Sequence, residues 1–463
     1  MKHTAGISRR EFLLAGAIGA AALSYSPRFF SGLKKGPPNL LFMHCDQLNI
    51  HALSAHGSTF VHTPNMDRLI RQGVSFRLSY SGNPLCSPAR SIWYTGRASS
   101  ETGVVQNDWP LLDELPDLGQ WFENRGYESF YSGKWHIPNR NVNKSFRVLT
   151  PEFGIGQHVD SGTSRAAQGF LMNDRGNTPF FLSLGFVQPH DICYFTWQIA
   201  EAFAELPYPE LADSLPPLPD NFHFDPVEPK SFLNIFRNRK EMAFLKAWSE
   251  QQWRYYIWSY YRHVEMVDAE IGRVLDALED SGLAKNTLVL FSSDHGEGMG
   301  YHKTVLKDFL YDEATSVPFV VSWPGHISEG LMDQTHLVSG LDLAPTLCDF
   351  ADIDPPPRAS GRSLRPLLEG KSIEWREFLV SEAHIRGRMV RTPEYKLIAY
   401  KNDPIRQFFD MRNDPGETRN LIGEPKYSDV VSDLTKRLIE WESKLEHASL
   451  AGRNPWRRNR RRI

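Results

Sequence analysis

The sequence predicts an α/β fold: a large, mostly parallel sheet sandwiched by helices, with a smaller C-terminal α+β lobe built on a short antiparallel sheet. Three observations predict it. Short continuous apolar runs flanked by breakers recur, as in Asn39-Leu40-Leu41-Phe42-Met43-His44 and Thr287-Leu288-Val289-Leu290-Phe291, and such runs fit strands buried on both faces. Helical segments alternate with these runs, which implies crossover connections. From about Glu377 the pattern changes to short strands without intervening helices. With 463 residues, 41% of them hydrophobic and 23% charged, the chain is long enough for a large core plus a lobe, and its composition is that of an ordinary globular protein.

Gly36-Pro37-Pro38 is a breaker, and the strand after it ends at Cys45-Asp46-Gln47. Thr63-Pro64 opens a crossover helix whose first turns run from Asp67 to Gln72. A helix over Leu118–Asn124 is closed by Gly126, and the strand Tyr127–Ser132 leads into Gly133-Lys134-Trp135-His136. Pro179–Leu184 is a third buried strand, ending near Pro189-His190. Residues 206–225 hold Pro207, Pro209, Pro216, Pro217 and Pro219 and read as an irregular insertion shaping a pocket mouth. Tyr260, Val264, Val267, Ile271, Val274 and Leu278 line one face of a long helix capped by Gly282. The strand Thr287–Phe291 then ends at Ser292-Ser293-Asp294-His295-Gly296-Glu297, and Val317–Val321 is another strand. Phe378–Ser381, Gly387–Arg391 and Tyr395–Tyr400 read as antiparallel strands, with a helix over Asp429–Glu446. The expected division is an α/β domain over residues 37–375 and an α+β subdomain over 376–463. The subdomain ends in a basic tail, Arg453, Arg457, Arg458, Arg460, Arg461 and Arg462, read as a solvated terminus.

A net charge of -3 excludes nucleic-acid binding as the global role. The four cysteines, Cys45, Cys86, Cys193 and Cys348, are too few for a disulfide scaffold, and sequence cannot choose among their pairings. Cys193 and Cys348 read as buried thiols and Cys45 as packing. Asp46 and Asp294 both fall at strand carboxyl ends, where open α/β sheets bind ligands. Two carboxylates at one sheet edge repel unless a cation lies between them. They read as ligands of a hard divalent ion, with Gln47 and His295 adjacent. Lys134 and His136 are spaced i, i+2, which in an extended segment points both into one pocket. His302 and Lys303 are candidates for a substrate rim.

The decisive motif is Cys86-Ser87-Pro88-Ala89-Arg90, followed by Ser91-Ile92-Trp93-Tyr94-Thr95-Gly96-Arg97. On a helix beginning near Pro88, Arg90 returns toward position 86. This Cys-x-Pro-x-Arg pattern followed by Thr-Gly resembles the maturation motif of the type I, formylglycine-dependent sulfatases of the alkaline phosphatase-like superfamily. The resemblance implies that Cys86 is oxidised to formylglycine, whose hydrated aldehyde is the nucleophile. It implies one divalent cation, Ca2+ ahead of Mg2+ or Mn2+, at Asp46, Gln47, Cys86, Asp294 and His295. It assigns Lys134 to the sulfate oxygens and His136 to the formylglycine hydroxyl. His190 resembles the sulfate-binding histidine, and Lys307, four residues before Tyr311, matches a Lys-x3-Tyr pattern; either would serve the leaving alcohol. Ala89 stands where many members have serine, and Gln47 where many have aspartate. The likeness continues through Val338–Leu347, Gly361–Leu364 and Phe409–Pro415, so it covers about Pro38 to Leu421.

The activity this resemblance implies is hydrolysis of a sulfate ester on a sulfated small molecule or oligosaccharide, a sulfated carbohydrate being preferred. A formylglycine-generating enzyme is the implied maturation partner. Sequence leaves two alternatives open: a phosphonate monoester or phosphodiester hydrolase, and a sulfated-glycan binder without turnover. Residues 1–30 contain Ser8-Arg9-Arg10-Glu11-Phe12-Leu13-Leu14 and an Ala/Gly-rich run to Leu23, which resembles a twin-arginine export signal. That implies the twin-arginine machinery and a periplasmic or extracellular enzyme. A run of roughly a dozen apolar residues is too short to remain as a membrane span.

Overall fold

A computed structural model describes residues 36–449, apart from 152–153, 175, 197–206, 225–226 and 239. The export-signal segment, Trp197 and the arginine tail lie outside the described residues.

The core element is β1 (Asn39–Asp46), buried along its whole length. Its side chains alternate between two hydrophobic clusters. Leu41, Met43 and Cys45 join one, and Leu40 and Phe42 join the other. A strand with apolar side chains on both faces must lie inside a covered sheet, which is why its sequence reads as one continuous run. Around it come α1 (Pro64–Arg71), β2 (Gly73–Phe76), α2 (Cys86–Thr95), α3 (Leu118–Glu123), β3 (Glu128–Gly133), β4 (Arg147–Thr150), α4 (Gly156–Met172) and β5 (Phe180–Pro189). Next in the chain are α5 (Glu250–Asp280), β6 (Thr287–Ser293), β7 (Phe319–Ser322) and β8 (Leu331–Asp333). The eight strands lie in the order β4-β3-β5-β1-β6-β7-β2-β8. β1 pairs parallel with β5 (Leu40 opposite Phe181) and with β6 (Leu40 opposite Leu288). β7 is antiparallel to both β6 and β2. The sheet is therefore mostly parallel.

Helix α5 covers one face. Ser249 caps it, with its side chain accepting from the Gln252 N–H at 3.3 Å and the Gln252 side chain accepting from the Ser249 N–H at 2.8 Å. Its buried stripe includes the six residues read from the sequence, Tyr260 through Leu278. Gly282 takes φ 74° just past the end, as a glycine cap requires. The opposite face is covered by α2, α3 and the residues packed with them.

The C-terminal sheet is antiparallel: β9 (Leu379–Ala383), β10 (Gly387–Arg391), β11 (Tyr395–Tyr400) and β12 (Gln407–Asp410), with α6 (Ser428–Ser443) packed on it. β12 adds a strand that the sequence pattern does not predict, because its four residues are all buried and show no alternation. All four cysteines are free. Among the described residues, no helix is long and apolar enough to cross a membrane.

Candidate active site

Neighbouring strands deliver the polar residues to one edge. Asp46 is the last residue of β1, Asp294 follows the end of β6, and His190 follows the end of β5. Lys134 follows β3, where Gly133 has φ 87° and any Cβ would collide with the Gly185 carbonyl. That close approach lets the Lys134 N–H donate to Gly185 at 2.8 Å. His136 has φ 53°, so it reaches the site through a bend rather than the pleat expected from i, i+2 spacing. Helix α2 begins at Cys86 itself, two residues earlier than expected. Pro88 sits in the first turn, where a missing N–H costs nothing. Position 86 therefore lies at the positive end of a helix dipole.

Arg90, fully buried one turn later, organises the floor. Its Nε donates to Asp294 Oδ2 at 3.0 Å, one Nη to Asp46 Oδ2 at 3.1 Å, and the other to the Lys134 carbonyl at 2.6 Å. Lys134 Nζ also reaches Asp46 Oδ2, at 2.9 Å. The Oδ2 atoms are thus committed to cations. The Oδ1 atoms face the other way, with Asp46 Oδ1 3.7 Å from Cys86 Sγ and 3.8 Å from His295 Nε2, and Asp294 Oδ1 3.6 Å from His295 Nε2. One ligand atom each from Asp46, Cys86, Asp294 and His295 falls within 4.8 Å of the others. His295 Nδ1 lies 2.9 Å from the Gly296 carbonyl, which can only accept, so when the ring gives up a proton it is Nε2 that turns a lone pair to the site. Two carboxylate oxygens and an imidazole nitrogen converging on one buried point fit a divalent cation.

The electrostatics are those of a cation-rich pocket. Burial alone would raise the Asp46 carboxyl, but Lys134, His190 and Arg90 hold it well below the usual range. Burial and the Asp46 charge push Asp294 up to about 6. Burial opposes protonation of His295, yet Asp294 and Cys86 lift it to about 9, so a cation at Nε2 competes with a proton. Burial and Asp46 push the Cys86 thiol up, and Lys307, His295 and a hydrogen bond from His136 outweigh them, holding it well below the ordinary value. Burial, Lys134 and Lys307 lower His190 to about 4. Lys307 is desolvated too, but neighbouring anions and thiols raise it.

The sulfatase family model matches residues 38–353, and the model for the C-terminal part of N-sulphoglucosamine sulphohydrolase matches 300–444. This chain belongs to the sulfatase family. It is a sulfuric ester hydrolase. A Delta 4,5-hexuronate-2-O-sulfatase from Bacteroides thetaiotaomicron is 34% identical over 89% of this chain and 91% of that protein. An N-acetylglucosamine-6-O-sulfatase from the same organism is 26% identical, covering 87% of this chain and 86% of that one. The solved structure of a 2-O GAG sulfatase superposes with a TM-score of 0.78 at 32% identity, covering 88% of this chain and 92% of that one.

In this sulfatase, Cys86, Arg90, Lys134, His136, His190, Lys307, Asp46, Asp294 and His295 come together as the sequence groups them. Gln47 is present, with its amide oxygen accepting from Lys307 Nζ and, at 3.3 Å, from Cys193 Sγ. Cys193 is a buried thiol, as expected, but it lies at the site, and nothing in its flanks signals that. His302 is not a rim residue. It is fully buried, 2.7 Å from Glu313 and 3.0 Å from the Glu417 carbonyl. Lys303 is exposed, with its ammonium over the Phe222 ring. Trp248, Trp253 and Tyr256 are buried among other aromatics, and Tyr256 also places its hydroxyl on Glu297. Sequence reasoning misses Glu297, although an acid two residues after His295 is an available signal.

Proposed function

We propose that this enzyme cleaves the sulfate ester of a sulfated carbohydrate, with formylglycine at position 86 and Ca2+ between Asp46, Asp294, His295 and the Gln47 amide oxygen. The observation that carries the reading is the buried convergence of Cys86, His295 and two carboxylates at the head of α2, ringed by Lys134, His136, His190 and Lys307. A hydrated aldehyde beside a dication supplies an acidic oxygen nucleophile for sulfur, which a thiol does not. The family resemblance is what puts Ca2+ ahead of Mg2+ or Mn2+, since oxygen donors suit all three and cavity size and ligand number separate them.

The chain's own residues do the rest. Lys134, with Arg90 behind it, offsets charge on the sulfuryl oxygens. His190 titrates near 4, so at neutral pH it donates a hydrogen bond without carrying charge. Lys307 is buried, yet neighbouring thiols and anions keep it protonated, so its fixed charge stabilises the leaving alcohol's oxygen as negative charge develops there. His136, bonded to the position-86 side chain, is the base that takes a proton there when sulfate departs. Similarity to the hexuronate sulfatase supports a sulfated sugar acid as the first compound to assay. We assign residues 37–375 to the catalytic domain and 376–463 to the subdomain. Residues 1–30 we assign to twin-arginine export toward the periplasm or beyond, after a formylglycine-generating enzyme has acted.

The test is sulfate release from a 2-O-sulfated unsaturated uronate disaccharide, with 4-nitrophenyl sulfate and phenyl phosphonate as comparators, alongside the intact mass of active enzyme. The reading expects the sulfated sugar to be preferred and position 86 to carry the aldehyde. An unmodified thiol in fully active enzyme, or a preference for the phosphonate, would overturn it.

A further inference from the structure

We infer that Glu297 is a positioning residue that decides which end of the Gln47 amide faces the reacting groups. The inference rests on the proposed function, in which Lys307 and the Asp46–Asp294 edge do the chemistry. Gln47 follows Asp46 with φ 75°. Its amide is held at both ends. Nε2 donates to Glu297 Oε2, while Oε1 accepts from Lys307 Nζ and Cys193 Sγ. The two ends of an amide have nearly the same shape, so only their partners tell them apart. A carboxylate only accepts and an ammonium only donates. Glu297 at one end and Lys307 at the other therefore admit a single orientation, with oxygen toward the site.

Glu297 is itself fixed. It is fully buried, and its other oxygen accepts from the Tyr256 hydroxyl at 2.7 Å, the Leu306 N–H at 2.5 Å and the Met299 N–H at 3.3 Å. Every one of these partners donates, so the group is satisfied as a carboxylate. Leu306 precedes Lys307, so the same carboxylate pins the loop that carries the ammonium. One buried acid thus sets both members of the Gln47–Lys307 contact. The oxygen it turns inward is the one offered to a cation beside Asp46.

Reversing the donor and acceptor tests this directly. Glu297→Gln opposes two amides and frees Gln47 to flip, placing an N–H2 toward Lys307. The swap Gln47→Glu with Glu297→Gln restores the bond between positions 47 and 297 with its direction reversed, leaves the bonds to Lys307, Cys193, Tyr256, Leu306 and Met299 in their original direction, and keeps the net charge. For E297Q, Ca2+ affinity measured by calorimetry and kcat/KM on 4-nitrophenyl sulfate should each fall about 10- to 100-fold. The swap should recover most of both. Tyr256→Phe removes a neighbouring bond from the same carboxylate; it should lower Tm yet leave Ca2+ affinity within about two-fold. Wild-type Ca2+ affinity and turnover in E297Q overturn the inference, as does a swap that recovers Tm without affinity and turnover. Should E297Q not fold, the swap alone decides: recovery of folding and turnover supports the inference, and loss of either overturns it. An inactive wild type would instead fail the sulfatase reading itself.

Discussion

Lys396 and Arg90 are both buried cations held between two acids, yet their surroundings differ. Lys396, on β11, reaches Asp312 at 2.8 Å and Glu417 at 2.7 Å. The neighbouring groups pair with one another: Tyr80 donates to Asp312 and accepts from Arg391, the Asp312 N–H donates to Glu417, and His302 bridges Glu313 and the Glu417 carbonyl. That cluster is closed and ties the C-terminal sheet to the segment after β6. Around Arg90, Asp294 Oδ1 accepts from the Gln47 and His295 backbone N–H groups at 3.0 Å, yet one ligand atom each from Asp46, Asp294, Cys86 and His295 still lies within 4.8 Å of the others. The residue types are alike, but only the second cluster leaves donors converging on a gap. Burial of charge by itself marks structure as readily as chemistry.

The comparison can be broken in several ways. Cys86→Ala should cut kcat/KM by about 10³-fold or more with Tm shifted by less than about 3 °C; near-wild-type turnover on 4-nitrophenyl sulfate would abolish the distinction. Lys396→Met should do the reverse. Leaving Asp312 and Glu417 buried without their cation costs about 3–5 kcal/mol, read as a lower denaturation midpoint, while turnover per folded molecule holds. A folded K396M enzyme slowed more than about ten-fold would place that cluster in the chemistry.

A pH series sharpens the contrast. Burial lifts Glu417 to about 7 despite Lys396, against an ordinary value of about 4.3. The folded state therefore keeps a proton that the unfolded chain has already lost. This contribution is full below about pH 4.3, declines as pH rises to about 7, and stays lost above, a change on the order of 3 kcal/mol. Wild-type stability should fall across that window and the Glu417→Gln variant should not; equal slopes would refute the assignment. The smallest effect is expected at Lys303. Removing its cation–π contact with Phe222 in Lys303→Ala should cost under about 1 kcal/mol, and KM should not move. A several-fold rise in KM would restore Lys303 to the substrate rim.

Much of this is legible in the chain. The runs Asn39–His44 and Thr287–Phe291 are strands because a doubly covered strand needs apolar side chains on both faces, and that requirement is written in consecutive residues. The motif around Cys86 and the strand-end positions of Asp46 and Asp294 are readable for the same local reason. Other features are not. Gln47 and Glu297 are 250 positions apart, and nothing in either one's flanks says that the two amide ends will be told apart by an acid and an ammonium. His302 looks like a free polar side chain beside Lys303, and the fold buries it against Glu313. Residue order alone determined the α/β alternation, the strand ends and the residue types gathered there, since periodicity is a property of near neighbours. Which oxygen, nitrogen or sulfur faces the gap was decided only by tertiary packing, because donors and acceptors are matched in space.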